Sequence, residues 1–244
     1  VAEADVQSGR LFVVATPIGN LGDAAPRSIE VLKSVDAIAA EDTRRTRKLL
    51  AHFGISTGLV AYHDHNEARV SLEIVERIED GEDIALVSDA GTPLVADPGY
   101  RLVSAAAERG IEIVAVPGPS AVVAALSVAG LPPQPFHFAG YLPRKSGQRK
   151  NRLAALAALS CTVVYYESPH RIAATLRDML EVLGNRRAVV ARELTKVHEE
   201  VLRGTLSELS SVAEERTLKG EIVVVVAGPS GSEDRAPGCG PDEP

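Results

Sequence analysis

The sequence has no tryptophan, and aromatic residues make up only 4% of it, so its core must be built from Val, Ala, Leu and Ile. Its two cysteines sit in unlike surroundings, Cys161 at the start of an apolar run and Cys239 in a Pro/Gly-rich tail. A disulfide framework and a four-thiolate zinc site are thereby excluded. No run of about 18 apolar residues occurs, and the first ten residues are acidic and polar rather than basic and then apolar. The expectation is a cytoplasmic chain, neither secreted nor membrane-spanning. The Gly-x-Gly-x-x-Gly dinucleotide fingerprint and the Walker A sequence are both missing. No Ser-His-Asp set or Cys-His pair assembles, which argues against covalent nucleophilic catalysis. His63, His65 and Glu67 alternate at strand spacing, but a metal would need further ligands, and none is expected to bind.

What is present describes an ordinary globular protein: 244 residues, 45% hydrophobic and 24% charged, long enough for two medium domains. The net charge of −7 argues against a general nucleic-acid binder, yet it is unevenly spread. Residues 1–132 carry 11 basic side chains against 19 acidic, whereas residues 133–228 carry 14 against 10. A polyanion can still be met by the second half.

Five apolar runs recur in the first half, Leu11–Ala15, Ala37–Ala40, Leu59–Tyr62, Ile84–Ser88 and Ile111–Val116, with helix-like stretches between them. Strands apolar on both faces that alternate with helices predict a parallel sheet covered on both sides. Ligands of such sheets collect at the carboxyl ends of the strands. Gly130–Pro135 holds three prolines in four positions and reads as a linker, giving an N-terminal α/β domain over 1–131. A second α/β domain is expected over 132–228, with strands at Phe136–Gly140, Thr162–Tyr166, Ala188–Ala191 and Ile222–Val226, helices near Leu153–Leu159 and Ile172–Leu183, and one further strand in mixed orientation at Glu199–Gly204. The Gly, Pro, Ser and acid composition of 229–244 predicts a disordered tail.

Each strand end carries turn residues or titratable groups. Pro17-Ile18-Gly19-Asn20-Leu21-Gly22 lets a backbone approach a cofactor, or is a plain strand-to-helix turn. Asp89 in Asp89-Ala90-Gly91-Thr92-Pro93 accepts from a ribose or amino group, or caps the next turn. Ser120, in Pro117-Gly118-Pro119-Ser120-Ala121, precedes an Ala/Val-rich helix whose free N–H groups suit a carboxylate or phosphate, though capping alone accounts for it equally well. The run from Arg144 to Arg152 has five cations and no acid; it is either a solvated charge run or a flexible basic loop that holds phosphates. Tyr165-Tyr166-Glu167-Ser168-Pro169-His170-Arg171 brings two aromatics, a carboxylate, an imidazole and a guanidinium to one strand end.

Taken in order, TPIGNLGD (16–23), AEDTRRT (40–46), HDHNE (63–67), SDAGTPLVADPG (88–99), VPGPSA (116–121), YYESPHR (165–171), ARELTK (191–196) and GEIVVVVAG (220–228) resemble the ribosomal-RNA-modifying members of the tetrapyrrole methylase superfamily, the class III methyltransferases. The resemblance spans about residues 11–228. It implies a homodimer whose chain has two α/β domains, an N-terminal parallel sheet and a C-terminal mixed sheet, with S-adenosylmethionine in the cleft between them. It further implies 2′-O-methylation of a cytidine ribose in the decoding region of 16S rRNA, free or in the 30S subunit. Carried over by motif, the cofactor contacts are Pro17, Asp89, Thr92, Ser120 and Ala121, joined by Tyr166 and Leu194 from the second domain. Asp42, Glu167 and Lys196 are candidates to accept the hydroxyl proton, with Glu167 preferred; Lys196 would need its pKa lowered by burial or by Arg192. Arg44, Arg149, Lys150 and Arg171 are candidate phosphate contacts. A tetrapyrrole or other small anionic substrate is the competing enzymatic reading, and an RNA-binding module with a relic pocket the non-catalytic one.

Overall fold

A computed structural model of the chain describes residues 8–229. The chain divides into two compact units, the first ending at Ser120 and the second beginning at Ala121.

The first unit is a five-stranded, all-parallel sheet. Its strands are β1 (Arg10–Val14), β2 (Ala37–Ala40), β3 (Gly58–Ala61), β4 (Ile84–Val87) and β5 (Glu112–Val116), in the order β3-β2-β4-β1-β5. Helices α1 (Pro26–Ser34), α2 (Thr43–His52), α3 (Glu67–Glu79) and α4 (Tyr100–Glu108) connect them. Because side chains alternate along a strand, consecutive residues of β4 enter opposite cores. Ile84 and Leu86 pack with Val70, Ile74, Ile78 and Leu102 of α3 and α4, whereas Ala85 and Val87 pack with Leu32 and Leu50 of α1 and α2. The five apolar runs expected as strands are these strands to within a residue or two.

The second unit begins with α5 (Ala121–Ala129), followed by β6 (Phe136–Tyr141), α6 (Ser146–Leu156), β7 (Thr162–Glu167), α7 (Ile172–Leu183), β8 (Arg187–Arg192), β9 (Glu200–Thr205), α8 (Leu206–Glu215) and β10 (Ile222–Val226). Its sheet runs β6-β7-β10-β8-β9, parallel only between β6 and β7 and therefore mixed. Helices α6, α7 and α8 cover one face through Leu153, Leu176, Met179 and Leu209. Helix α5 lies against β8, β9 and β10. The division at 120/121 thus falls one helix ahead of the boundary expected at 131/132, because α5, apolar nearly all round, belongs with the second sheet. The linker prolines follow that helix instead of preceding the unit.

Two expectations for this unit change. The run expected as a basic loop is mostly helix: α6 starts at Ser146, seven residues before the helix expected near Leu153. Helix α8 had no counterpart in the sequence reading; it opens with a capping box in which Thr205 accepts from the Glu208 backbone while the Glu208 carboxylate accepts from the Thr205 backbone. The tail expected at 229–244 lies, from residue 230 on, outside the described residues.

Candidate active site

In a parallel sheet all carboxyl ends share one edge, so the turns after β1, β2, β4 and β5 of the first unit converge there. The turns after β1 and β4 are tied by a short antiparallel bridge: Thr16 N donates to Gly91 O at 2.8 Å and Gly91 N donates back at 3.1 Å. Gly91 has φ +83°, and a Cβ there would stand 3.3 Å from Ile18, so the bridge requires glycine. Thr92 Oγ1 donates to Pro119 O at 3.2 Å, which brings in the turn after β5. Asp89 reaches toward β2: its Oδ1 accepts from Asp42 N at 3.0 Å, and its Oδ2 lies 3.3 Å from Arg45 Nη1.

A cavity of ≈ 210 Å³ lies against these turns, lined in part by Thr16, Pro17, Gly19, Ser88, Asp89 and Arg45. Complete small-molecule pockets run from about 300 Å³, so this one is smaller than a complete small-molecule site. Of the cofactor residues inferred from the motifs, Pro17 and Asp89 line it, while Thr92 ties the turn after β4 to Pro119. Ser120 and Ala121 stand where the two units meet in sequence.

Around Asp89 gather the carboxylates Glu41, Asp64 and Asp97, to which the motifs assigned no role. Glu41 follows the fully buried β2, and its Oε2 is buried without a hydrogen-bond partner. Burial raises its pKa, the carboxylates of Asp97, Asp89 and Asp64 add to the rise, and a bond from the Asp89 backbone opposes it; the net value is about 7. Asp97 is likewise raised to about 6, chiefly by burial. The available signal was a carboxylate standing directly after a strand with no polar face.

The second unit has a strand-end edge of its own. Ile222 pairs with both Glu167 and Arg192, so the ends of β7 and β8 lie side by side with β10 between them. Tyr166 packs edge-on against Phe138 at 4.9 Å and Tyr141 at 5.5 Å between ring centroids. Leu194 is buried, and its neighbours Glu193 and Thr195 have φ of +51° and +67°. With Leu94 and Ala96 in the turn after β4, these are the four non-glycine residues of positive φ among those described. Backbone strain of this kind concentrates at ligand sites.

The proposed proton acceptors are all engaged. Glu167 is 3% exposed; it accepts from Thr175 Oγ1 at 2.6 Å and Ser168 N at 2.6 Å, and pairs with Arg171 Nη2 at 2.5 Å. That makes it a brace for the start of α7, and it leaves Arg171 occupied as well. Burial draws the Lys196 pKa down, but Glu193 and Glu221, at 2.9 and 3.0 Å, outweigh burial and hold it above the ordinary value. The lowering that a lysine base needs is the reverse of what the structure provides. Asp42 caps α2 and is forked by Arg44, whose hydrogen bonds lower it to about 2.

Arg149 and Lys150, the candidate phosphate contacts on α6, are both engaged by carboxylates of α7. Arg149 is 4% exposed; its Nε donates to Asp178 at 2.7 Å and its Nη1 to Arg144 O at 3.1 Å. Lys150 pairs with Glu181 at 2.6 Å. Arg149, Leu153 and Leu156 share the buried face at spacings of four and three, so an arginine neutralised from α7 takes a core position. Among the described residues no group of three His, Cys, Asp or Glu is arranged to hold a metal, and no helix is long and apolar enough to cross a membrane.

A family model described as Tetrapyrrole (Corrin/Porphyrin) Methylases matches residues 10–210. The chain belongs to this family and is a methyltransferase. Its relatives include proteins named Ribosomal RNA small subunit methyltransferase I. That of Halalkalibacterium halodurans is 50% identical over 220 residues, 90% of this chain and 76% of the relative. That of Escherichia coli O157:H7 is 48% identical over 237 residues, 96% and 83% of the two chains. Such identity over nine-tenths of the chain places it in that group of the family. The fold is shared with diphthine synthase, at 17% identity and a TM-score of 0.70 over 90% of each chain. It is also shared with a Thermus thermophilus uroporphyrin-III C-methyl transferase solved with S-adenyl homocysteine, at 16% identity and a TM-score of 0.63 over 90% of this chain and 97% of that one.

Proposed function

We propose that this chain transfers the methyl group of S-adenosylmethionine to the 2′-hydroxyl of a cytidine ribose in the decoding region of 16S rRNA. The supporting observation is that all four non-glycine residues of positive φ among those described lie in the two loops, 88–99 and 191–196, that carry the inferred cofactor residues Asp89, Thr92 and Leu194. The substrate assignment rests on the roughly half-identical relatives named for small-subunit rRNA. A homodimer in the cytoplasm accompanies this reading.

Bound S-adenosylmethionine would supply an already activated methyl group. The chain then has to hold the acceptor ribose in line, exclude water and take up a proton. Pro17, Asp89 and Thr92 of the first unit would hold the cofactor, and the family resemblance adds Tyr166 and Leu194. For the proton we assign Asp42, whose restraint is the most easily released. Arg44, which holds it, is 84% exposed in its side chain, and a substrate phosphate that attracts this guanidinium frees the carboxylate. Glu167 and Arg171 serve to position the second-unit edge.

The test is ribose-methylation mapping of rRNA from cells lacking the protein, with and without re-expression, alongside transfer to purified 30S subunits and to a porphyrinogen precursor. Loss and recovery at one decoding-region cytidine supports the reading. Transfer to the porphyrinogen but not to 30S subunits replaces it with the small-anion reading.

A further inference from the structure

We propose that Tyr141, backed by Tyr166 and Phe138, is a stacking platform for a nucleobase of the substrate RNA, and that Arg144 and Lys145 hold the adjoining phosphates. This deepens the reading above and rests on it.

Aromatics are scarce in this chain, nine in all, yet five of them fall between residues 136 and 166. Three meet at one sheet edge, where Tyr166 makes edge-on contacts with both Phe138 and Tyr141. Tyr141 is nonetheless 59% exposed. Its aim is set by the backbone. The β6–β7 register shifts between Phe138 and Gly140, and Gly140 has φ +65°, a bulge that re-aims the following side chain.

Three residues on, the chain supplies charge. Arg144 and Lys145 are exposed and make no ion pair with any described residue, unlike Arg149 and Lys150 of the same run. They lead into α6, whose first turn has no side-chain cap, and its free amide donors add to the attraction for an anion. An exposed aromatic ring followed by cations that make no ion pair with any described residue is the combination that single-stranded nucleic acid recognises, one group taking the base and the other the backbone. A protein partner would find little apolar area here, since Tyr141 is followed by the buried Leu142 and then by charge.

The experiment measures binding of the intact protein to 30S subunits lacking the modification, with S-adenosylmethionine affinity and melting temperature as controls. Tyr141→Ala is expected to weaken 30S binding roughly 5- to 150-fold, the range for losing one stacked base, and Tyr141→Phe to restore it. Arg144→Ala with Lys145→Ala is expected to flatten the slope of log affinity against log salt by about 1 to 1.5 units. Cofactor affinity stays at the wild-type value in all three. Tyr141→Ala binding 30S subunits within two-fold of wild type overturns the proposal. So does a loss of cofactor affinity without loss of 30S affinity, which would place Tyr141 in the cofactor site. Wild-type protein that fails to bind or methylate 30S subunits sinks the substrate reading itself, a result distinct from either.

Discussion

Removing Arg149 is predicted to destabilise the protein strongly while leaving its chemistry in place. The guanidinium and the Asp178 carboxylate are 5% and 10% exposed in their side chains, and they are joined through both Nε and Nη2. Breaking a buried pair from one side leaves a charge without its partner and costs about 3–5 kcal/mol. Ser146 Oγ, at 3.0 Å from Asp178, and Lys150, at 3.7 Å, keep partial compensation, which puts Arg149→Ala at about 3 kcal/mol, near the lower end of that range. For a chain of this size that corresponds to a fall of about 6–12 °C in melting temperature. Replacing both partners by apolar residues of similar volume, Arg149→Met with Asp178→Leu, should recover stability to within about 1 kcal/mol. Calorimetry on the two single variants and the double variant, with 30S binding measured on the double variant, completes the cycle. If the single variants melt like wild type, the pair contributes nothing; if the double variant melts normally but binds 30S subunits poorly, Arg149 reaches a phosphate after all.

Three further outcomes are expected. Glu41 has a folded pKa of about 7 against an ordinary 4.5, so its contribution to stability is full below about pH 4.5 and is lost as the pH rises through 7. Glu41→Gln should therefore gain on wild type across that window, by up to about 3 kcal/mol above pH 7, and equal stability differences at pH 5 and pH 8 would refute this. Asp89→Ala should weaken S-adenosylmethionine binding measured by calorimetry, since it removes the link to Asp42 and Arg45 as well as the carboxylate at the cavity; unchanged affinity would reduce Asp89 to a structural tie. A chelator should leave methyl transfer intact when the RNA is folded in monovalent salt, and activity that is lost and then restored by a divalent ion would count against a metal-free mechanism.

The first unit was legible in the sequence because a covered parallel sheet writes each strand as an unbroken apolar run, as in Ala37–Ala40 and Ile84–Val87, both buried throughout. The second unit was less so. Its α6 buries an arginine, and a reading that sends every cation outward mistakes that face for a loop. Helix α8 starts directly after β9 with no intervening turn, so the change of period came without punctuation. The residues of the candidate site were placed by motif, but their roles depend on partners distant in sequence: Thr175 on Glu167, Glu221 on Lys196 and Asp178 on Arg149. No spacing rule could have supplied those pairings.

The order of strands in the second sheet bears on how the chain is made. β10 is fully buried and lies between β7 and β8, yet it follows both of them in the chain and so leaves the ribosome after them. Until Ile222–Val226 emerges, β7 and β8 each keep an open, strongly apolar margin, the kind of margin that joins strands from other chains. Vectorial synthesis therefore leaves this half of the protein incomplete while about 55 residues are added after β7, and premature termination anywhere in that interval is expected to yield aggregating fragments rather than a smaller folded domain.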